Sequence, residues 1–200
     1  IGVTGALISK DVNKLREFKD RPSSPVSAWG NLLHYWNHRD KDNHNNHPQE
    51  IIEHFYGKSF LRFLIDHSVL HNDHIPHQAI NEQGYLQVYG YSPQSDPFLH
   101  RVQEFVLKTI KNYFIYVTST NKRALQTVRG EENLKKWCLE HNIKFFALPT
   151  EVRDTYTFRG SYPIVQAGIK NNKLEMVREG WIDIYSYLKK LKFDITNIKE

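Results

Sequence analysis

The chain has 200 residues and a mass of 23.7 kDa, with 40% apolar, 13% aromatic and 24% charged side chains, too rich in rings and apolar groups for a disordered polymer. Ten glycines and eight prolines follow no G-x-y period, and no uncharged apolar run reaches bilayer length, so collagen-like and membrane-spanning classes drop out. The formal charge of +5 is uneven: residues 1–100 hold 9 basic and 11 acidic side chains, residues 101–200 hold 18 and 11.

One cysteine, Cys138, permits no internal disulfide, which points to a reducing, intracellular setting, cytoplasm or nucleus. The first ten residues lack the basic and apolar regions of a signal peptide, and no N-x-S/T sequon occurs. Ile1 stands in place of an initiator methionine, as expected for a domain of a longer protein or a processed chain.

In chain order, Ser9 is expected to cap a helix over residues 10–19, where Val12, Leu15 and Phe18 recur at three-residue steps. Ser24-Pro25 reads as the start of a second helix to about His38, with Val26, Trp29, Leu33 and Trp36 on one face. Arg39 to His47 is polar and reads as a loop, Pro48 opens a short helix that Gly57 ends, and Ser59 caps an apolar helix through Leu70. His77 to Ile80 and Tyr85 to Tyr91 flank the turn Asn81-Glu82-Gln83-Gly84 as a hairpin.

Asp96-Pro97 should open a helix bearing Phe98, Val102, Phe105, Val106 and Ile110, followed by a strand over Tyr113 to Thr118. A helix over about 121–141 and a strand from Ile143 to Leu148 complete a βαβ unit with a right-handed crossover. Thr155 to Phe158 and Ile164 to Ala167 extend the sheet, and a last helix spans about Lys173 to Lys192 with Lys189, Lys190 and Lys192 in its final turn. The expectation is an α/β or α+β protein: a mostly helical part over 1–95 ending in a hairpin, packed on a basic α/β part over 96–200 with a βαβ unit and a small mixed sheet.

Candidate chemistry concentrates at two places. The strand-to-helix junction Ser119, Thr120, Asn121, Lys122, Arg123 offers hydroxyl, amide and cationic donors where a βαβ unit customarily holds phosphate; Arg129, Lys135, Lys136 and Arg159 add charge around it. It contains no glycine, so it is neither a P-loop nor a dinucleotide fingerprint. His67, His71, Asp73, His74 and His77 form a nitrogen-rich cluster suited to zinc or manganese, although no H-E-x-x-H motif or cysteine partner accompanies it.

Asp73-His74, a hairpin, then a helix with His100 and Glu104 one turn apart is similar in order to the ββα-metal nucleases over about 30 residues. The resemblance implies His74 as general base, with His100 and Asp73 or Glu104 holding the cation. The sequence departs from that pattern in lacking a midway asparagine and a following Cys-x-x-Cys pair.

The functional expectation is a nucleic-acid or other polyanion-binding domain of a larger protein, with metal-dependent phosphodiester hydrolysis by the histidine cluster as an added activity. Nucleic acid, and protein partners or further domains, are the expected partners, with no membrane contact. The alternative is a non-catalytic interaction or scaffolding domain, with the aromatic surplus as anchors.

Overall fold

The computed structural model of the chain describes residues 6–19, 26–44, 50–70, 75–110, 113–119, 131–143, 162–168, 173–180 and 182–198. Strands β1 (Ala6–Ser9), β2 (Ser27–Trp29), β3 (Phe60–Leu64), β4 (Tyr85–Tyr89), β5 (Tyr116–Ser119), β6 (Ile164–Ala167), β7 (Leu174–Arg178) and β8 (Ile195–Asn197) form one mixed sheet. Their order is β1-β5-β2-β4-β3-β6-β7-β8, so β5 of the second half inserts between β1 and β2 of the first, and β6, β7 and β8 continue the sheet beyond β3. The pairs β2/β4, β3/β6 and β7/β8 are parallel and the remaining pairs antiparallel. Helices cover both faces, consistent with the expected α/β or α+β class.

Strand alternation divides the core. Ala28, Leu61, Val88, Val165 and Met176 face α1 (Val12–Lys19), α2 (Leu32–Trp36), α4 (Glu50–Glu53) and α7 (Ile184–Lys190) in one cluster. Their neighbours Trp29, Phe60, Tyr89, Ile164 and Val177 face the other way, in a second cluster with Leu99 of α5 (Pro97–Thr109). The short α3 (Lys41–His44) and α6 (Glu131–Glu140) complete the described helices, with three-residue 3-10 turns at His67–Val69 and His77–Ala79.

Several local signals hold. Asp96 accepts a hydrogen bond from the Leu99 N–H at 2.9 Å, so α5 starts at the Asp-Pro pair as read. Gly57 follows α4 at φ +69, in the left-handed region glycine tolerates best. The Asn81–Gly84 turn closes with Gly84 N–H to Asn81 C=O at 3.0 Å.

The helix expected from Ser59 is instead β3 followed by a 3-10 turn, because Phe60-Leu61-Arg62-Phe63-Leu64 packs against both cores and shows no single face. The helix from Ser24 is replaced by β2 and then α2, whose cap is Asn31 accepting from the His34 N–H at 3.2 Å. Asp11, not Ser9, bonds the first turn of α1. The Arg39–His47 loop contains α3, with Asp40 accepting from the Asn43 N–H. The expected helix over 173–192 divides into β7 and α7.

The expected hairpin is a 3-10 turn touching β4 at one bridge, Ile80 to Leu86, while β4 pairs with β2 and β3. Residues 144–148 and 155–158, expected as strands, lie outside the described residues. Both flanks of β5 carry antiparallel partners, β1 and β2, so its hydrogen-bonded neighbours are not the parallel strand expected of a βαβ unit.

Candidate functional site

The sequence-predicted phosphate site is described only in part. Ser119 ends β5 opposite Ala6, and Thr120, Asn121, Lys122, Arg123, Arg129 and Arg159 lie outside the described residues. Lys135 and Lys136 sit on α6, each with a carboxylate of its own helix: Glu132 at 3.4 Å and Glu140 at 3.9 Å. Such helical pairs contribute a few tenths of a kcal/mol, and they occupy the cations locally.

In the histidine cluster, His67 and His77 are exposed on separate 3-10 turns, and His71, Asp73 and His74 lie outside the described residues. Among the described residues no three His, Cys, Asp or Glu side chains gather as a metal site. His100 places Nδ1 3.0 Å from the Tyr91 carbonyl, and Glu104 turns to Lys108 at 3.9 Å, so the described partners of both are within the chain. His44 is fully buried with Nε2 accepting the Leu64 N–H at 3.0 Å, which requires that nitrogen to be unprotonated.

The carboxyl ends of the parallel pair β2/β4 are the place where an α/β sheet customarily admits a ligand, since α2 and α5 leave on opposite faces there. Here the chain fills it. Gly30 donates to the Tyr89 carbonyl at 3.0 Å, and a Cβ on Gly90 would run into the Gly30 carbonyl oxygen. Buried Gln103 of α5 accepts from the Tyr91 N–H at 3.0 Å and donates to the Tyr91 carbonyl at 3.2 Å. Tyr56 donates its hydroxyl to Asn31 at 2.8 Å.

A feature that sequence reading missed crosses the sheet. Register aligns Ser27, Gln87, Arg62, Gln166, Glu175 and Thr196 side by side on the α5 face, one residue per strand from β2 to β8. Arg62 Nε and Nη2 donate to Gln87 Oε1 at 3.3 and 3.2 Å, Gln87 donates to Ser27 Oγ at 2.6 Å, and Gln166 donates to Glu175 at 2.9 Å. Burial, then Glu175, raise the Tyr85 phenol while Arg62 opposes them, so this residue shares the field of the row. Thr196, at the end of the row, donates instead to the Leu174 carbonyl at 3.4 Å. The sequence signal of the row, an arginine in the middle of an apolar run, is visible at Arg62, but the alignment is set by strands distant in sequence.

The other face carries a cationic surface at the end of α7. Ile184 and Leu188 are buried, while Tyr185 and Tyr187 flank them half-buried. Lys189 Nζ lies 4.8 Å from the Tyr185 ring centre and Lys58 Nζ 5.0 Å from that of Tyr187. Lys190 and Lys192 are exposed beside them, Lys192 with φ +64 in the left-handed position that closes the helix. Tyr187 Oη and His54 Nδ1 are hydrogen-bonded at 3.0 Å. Burial, then the nearby Lys58 charge, lower the His54 imidazole below its usual range against an opposing effect of Glu53, and burial lowers the Lys58 amine. Among the described residues none of Lys58, Lys189, Lys190 and Lys192 has a carboxylate within 4 Å, unlike Lys108, Lys135, Lys136 and Lys173, although the Lys190 charge helps, after the Ser186 hydrogen bonds, to lower the Asp183 carboxyl. Among the described residues no helix is long and apolar enough to cross a membrane.

No family model, no curated protein and no solved structure matches the chain.

Proposed function

We propose that the chain binds a polyanion, nucleic acid foremost, through the lysine and tyrosine surface at the end of α7. One observation carries this reading: Lys58, Lys189 and Lys192 have no carboxylate partner among the described residues, Lys190 feels Asp183 only from beyond 4 Å, and two of the four lie over tyrosine rings. Unpaired cations keep their charge available to phosphates, and each phosphate neutralised releases counterions. Flanking rings add a face on which an unpaired base can stack. The basic excess of residues 101–200 favours the same class of partner at longer range.

The test is a salt series of binding to single-stranded and duplex oligonucleotides by fluorescence anisotropy. Four engaged lysines predict a log–log slope of about −3 to −4. The triple charge reversal Lys189→Glu, Lys190→Glu and Lys192→Glu lowers affinity at least about tenfold, whereas reversing the ion-paired Lys135 and Lys136 has little effect. The pair Lys122→Glu and Arg123→Glu measures what the strand-to-helix junction adds. A flat salt response overturns the reading and leaves a protein-interaction domain in its place. Metal-dependent phosphodiester cleavage by the His74 cluster is tested separately, by the metal content of untagged protein and by cleavage of the same oligonucleotides.

A further inference from the structure

Among the described residues His44 is the only histidine with 0% exposure, and it is buried for a backbone reason. The parallel pairing of β3 with β6 runs from Phe60 to Arg62 and ends there. Two residues on, Leu64 gives both its backbone groups to α3 and the residue before it: its carbonyl accepts from the Asp40 N–H at 2.9 Å, and its N–H donates to His44 Nε2 at 3.0 Å. The imidazole thus replaces a strand carbonyl at the edge of β3, with the Trp36 ring 5.8 Å away, centre to centre. The Arg39–Ile65 bridge and the Asp66 N–H to His38 carbonyl bond at 3.0 Å join the same stretches without it.

We propose that His44 is an acid-released latch, which holds α3 against the end of β3 while neutral and lets go when it takes up a proton. The charged ring donates at both nitrogens, so in place it would set an N–H against the Leu64 N–H and bury a cation beside an amide with no acceptor. Release requires only that α3, a single turn of four residues, move away. The neighbouring charges do not answer the proton. Asp40 accepts from Asn43 N–H at 3.2 Å and Nδ2 at 2.8 Å, Asp66 accepts from the Ser68 N–H at 2.8 Å, and Lys41 and Asp42 are exposed. Arg39, 4.8 Å above the Trp36 ring, opposes a second positive charge from the α2 side, and Arg62 of β3 lies on the other face of the sheet. An imidazole in water titrates near about pH 6.5, so the latch is closed above that value and its hold weakens as the pH falls below it. What acid uncovers is the strand edge at Leu64.

The experiment is amide hydrogen exchange of the full chain followed by NMR from about pH 7.5 to 4.5, a span that brackets the ordinary imidazole range. Rates are corrected for the intrinsic effect of pH, and the ring nitrogens of isotope-labelled histidine are read in the same samples. Protection of the Leu64 N–H is expected to fall about tenfold per pH unit once the released ring is charged, the slope for one proton, while the amides of β4 keep theirs. His44→Gln, whose side-chain carbonyl accepts but takes up no proton in this span, is expected to leave Leu64 protection flat; if that variant does not fold, the wild-type titration decides alone. A Leu64 amide still protected after His44 has charged, protection lost only together with that of β4, or the same slope in a folded His44→Gln chain overturns the proposal.

Discussion

Helices α5 and α7 lie on opposite faces of the same sheet, each with an apolar side packed inward, and differ in what else they bring to it. Helix α7 is conventional: Ile184 and Leu188 go in, Lys189 and Lys190 stay out, and Asp183 bonds the first turn through the Ser186 N–H at 2.9 Å. Helix α5 buries Gln103, which closes both backbone groups of Tyr91, and leaves Phe98 and Phe105 outside. The contrast shows that a helix over apolar sheet residues is held by hydrophobic burial, while a helix over the ends of two strands also supplies hydrogen bonds that the strands cannot make to each other.

The largest effect expected of this contrast is on the α7 side. Leu188→Ala, at a site of 0% exposure, should cost about 3 kcal/mol in urea unfolding. Gln103→Leu should cost about 2 kcal/mol even though it adds a hydrophobic residue to the core, because it strands the Tyr91 N–H. If that variant is neutral or stabilising, the distinction between the helices fails. The opposite exchange, Phe105→Ser, should change unfolding free energy by less than about 0.5 kcal/mol in dilute protein.

A smaller effect is expected from acid where α7 meets His54. Folding lowers this imidazole below 6.5, so the unfolded chain takes up the proton more readily. Its contribution is intact above pH 6.5, falls as the pH descends toward the lowered folded value, and levels off below it. The melting temperature between pH 7.5 and 5 should therefore fall more in wild type than in His54→Gln, and equal profiles would remove His54 from the account. The same proton should strengthen polyanion binding over that interval, since a phosphate nearby favours the charged ring.

The parts of the fold that local chemistry decides were readable from the sequence. Asp96-Pro97, Gly57 and the Asn81–Gly84 turn act within a few residues, and each stands as read. Phe60–Leu64 was not readable as a strand, because burial on both faces erases the alternation that separates β from α. Ser27–Trp29 is too short for a period to register within the helix-like pattern around it. The polar row from Ser27 to Thr196 was out of reach for a different reason: Arg62 meets Gln166 only after a register between strands a hundred residues apart is fixed. At the candidate site, the lysines of the last helical turn were legible as a composition, but their tyrosine partners and Lys58 come together through tertiary packing.

Gly90 carries a consequence for descent. The contact with the Gly30 carbonyl leaves room for hydrogen alone, and Gln103, thirteen positions later, closes over the same spot. A distant cousin of this chain can exchange its exposed His67 or His77 without touching the core, but a methyl group at position 90 would prise two central strands apart. The glycine and the glutamine, kept at that interval, are accordingly the signature by which kinship should first be sought.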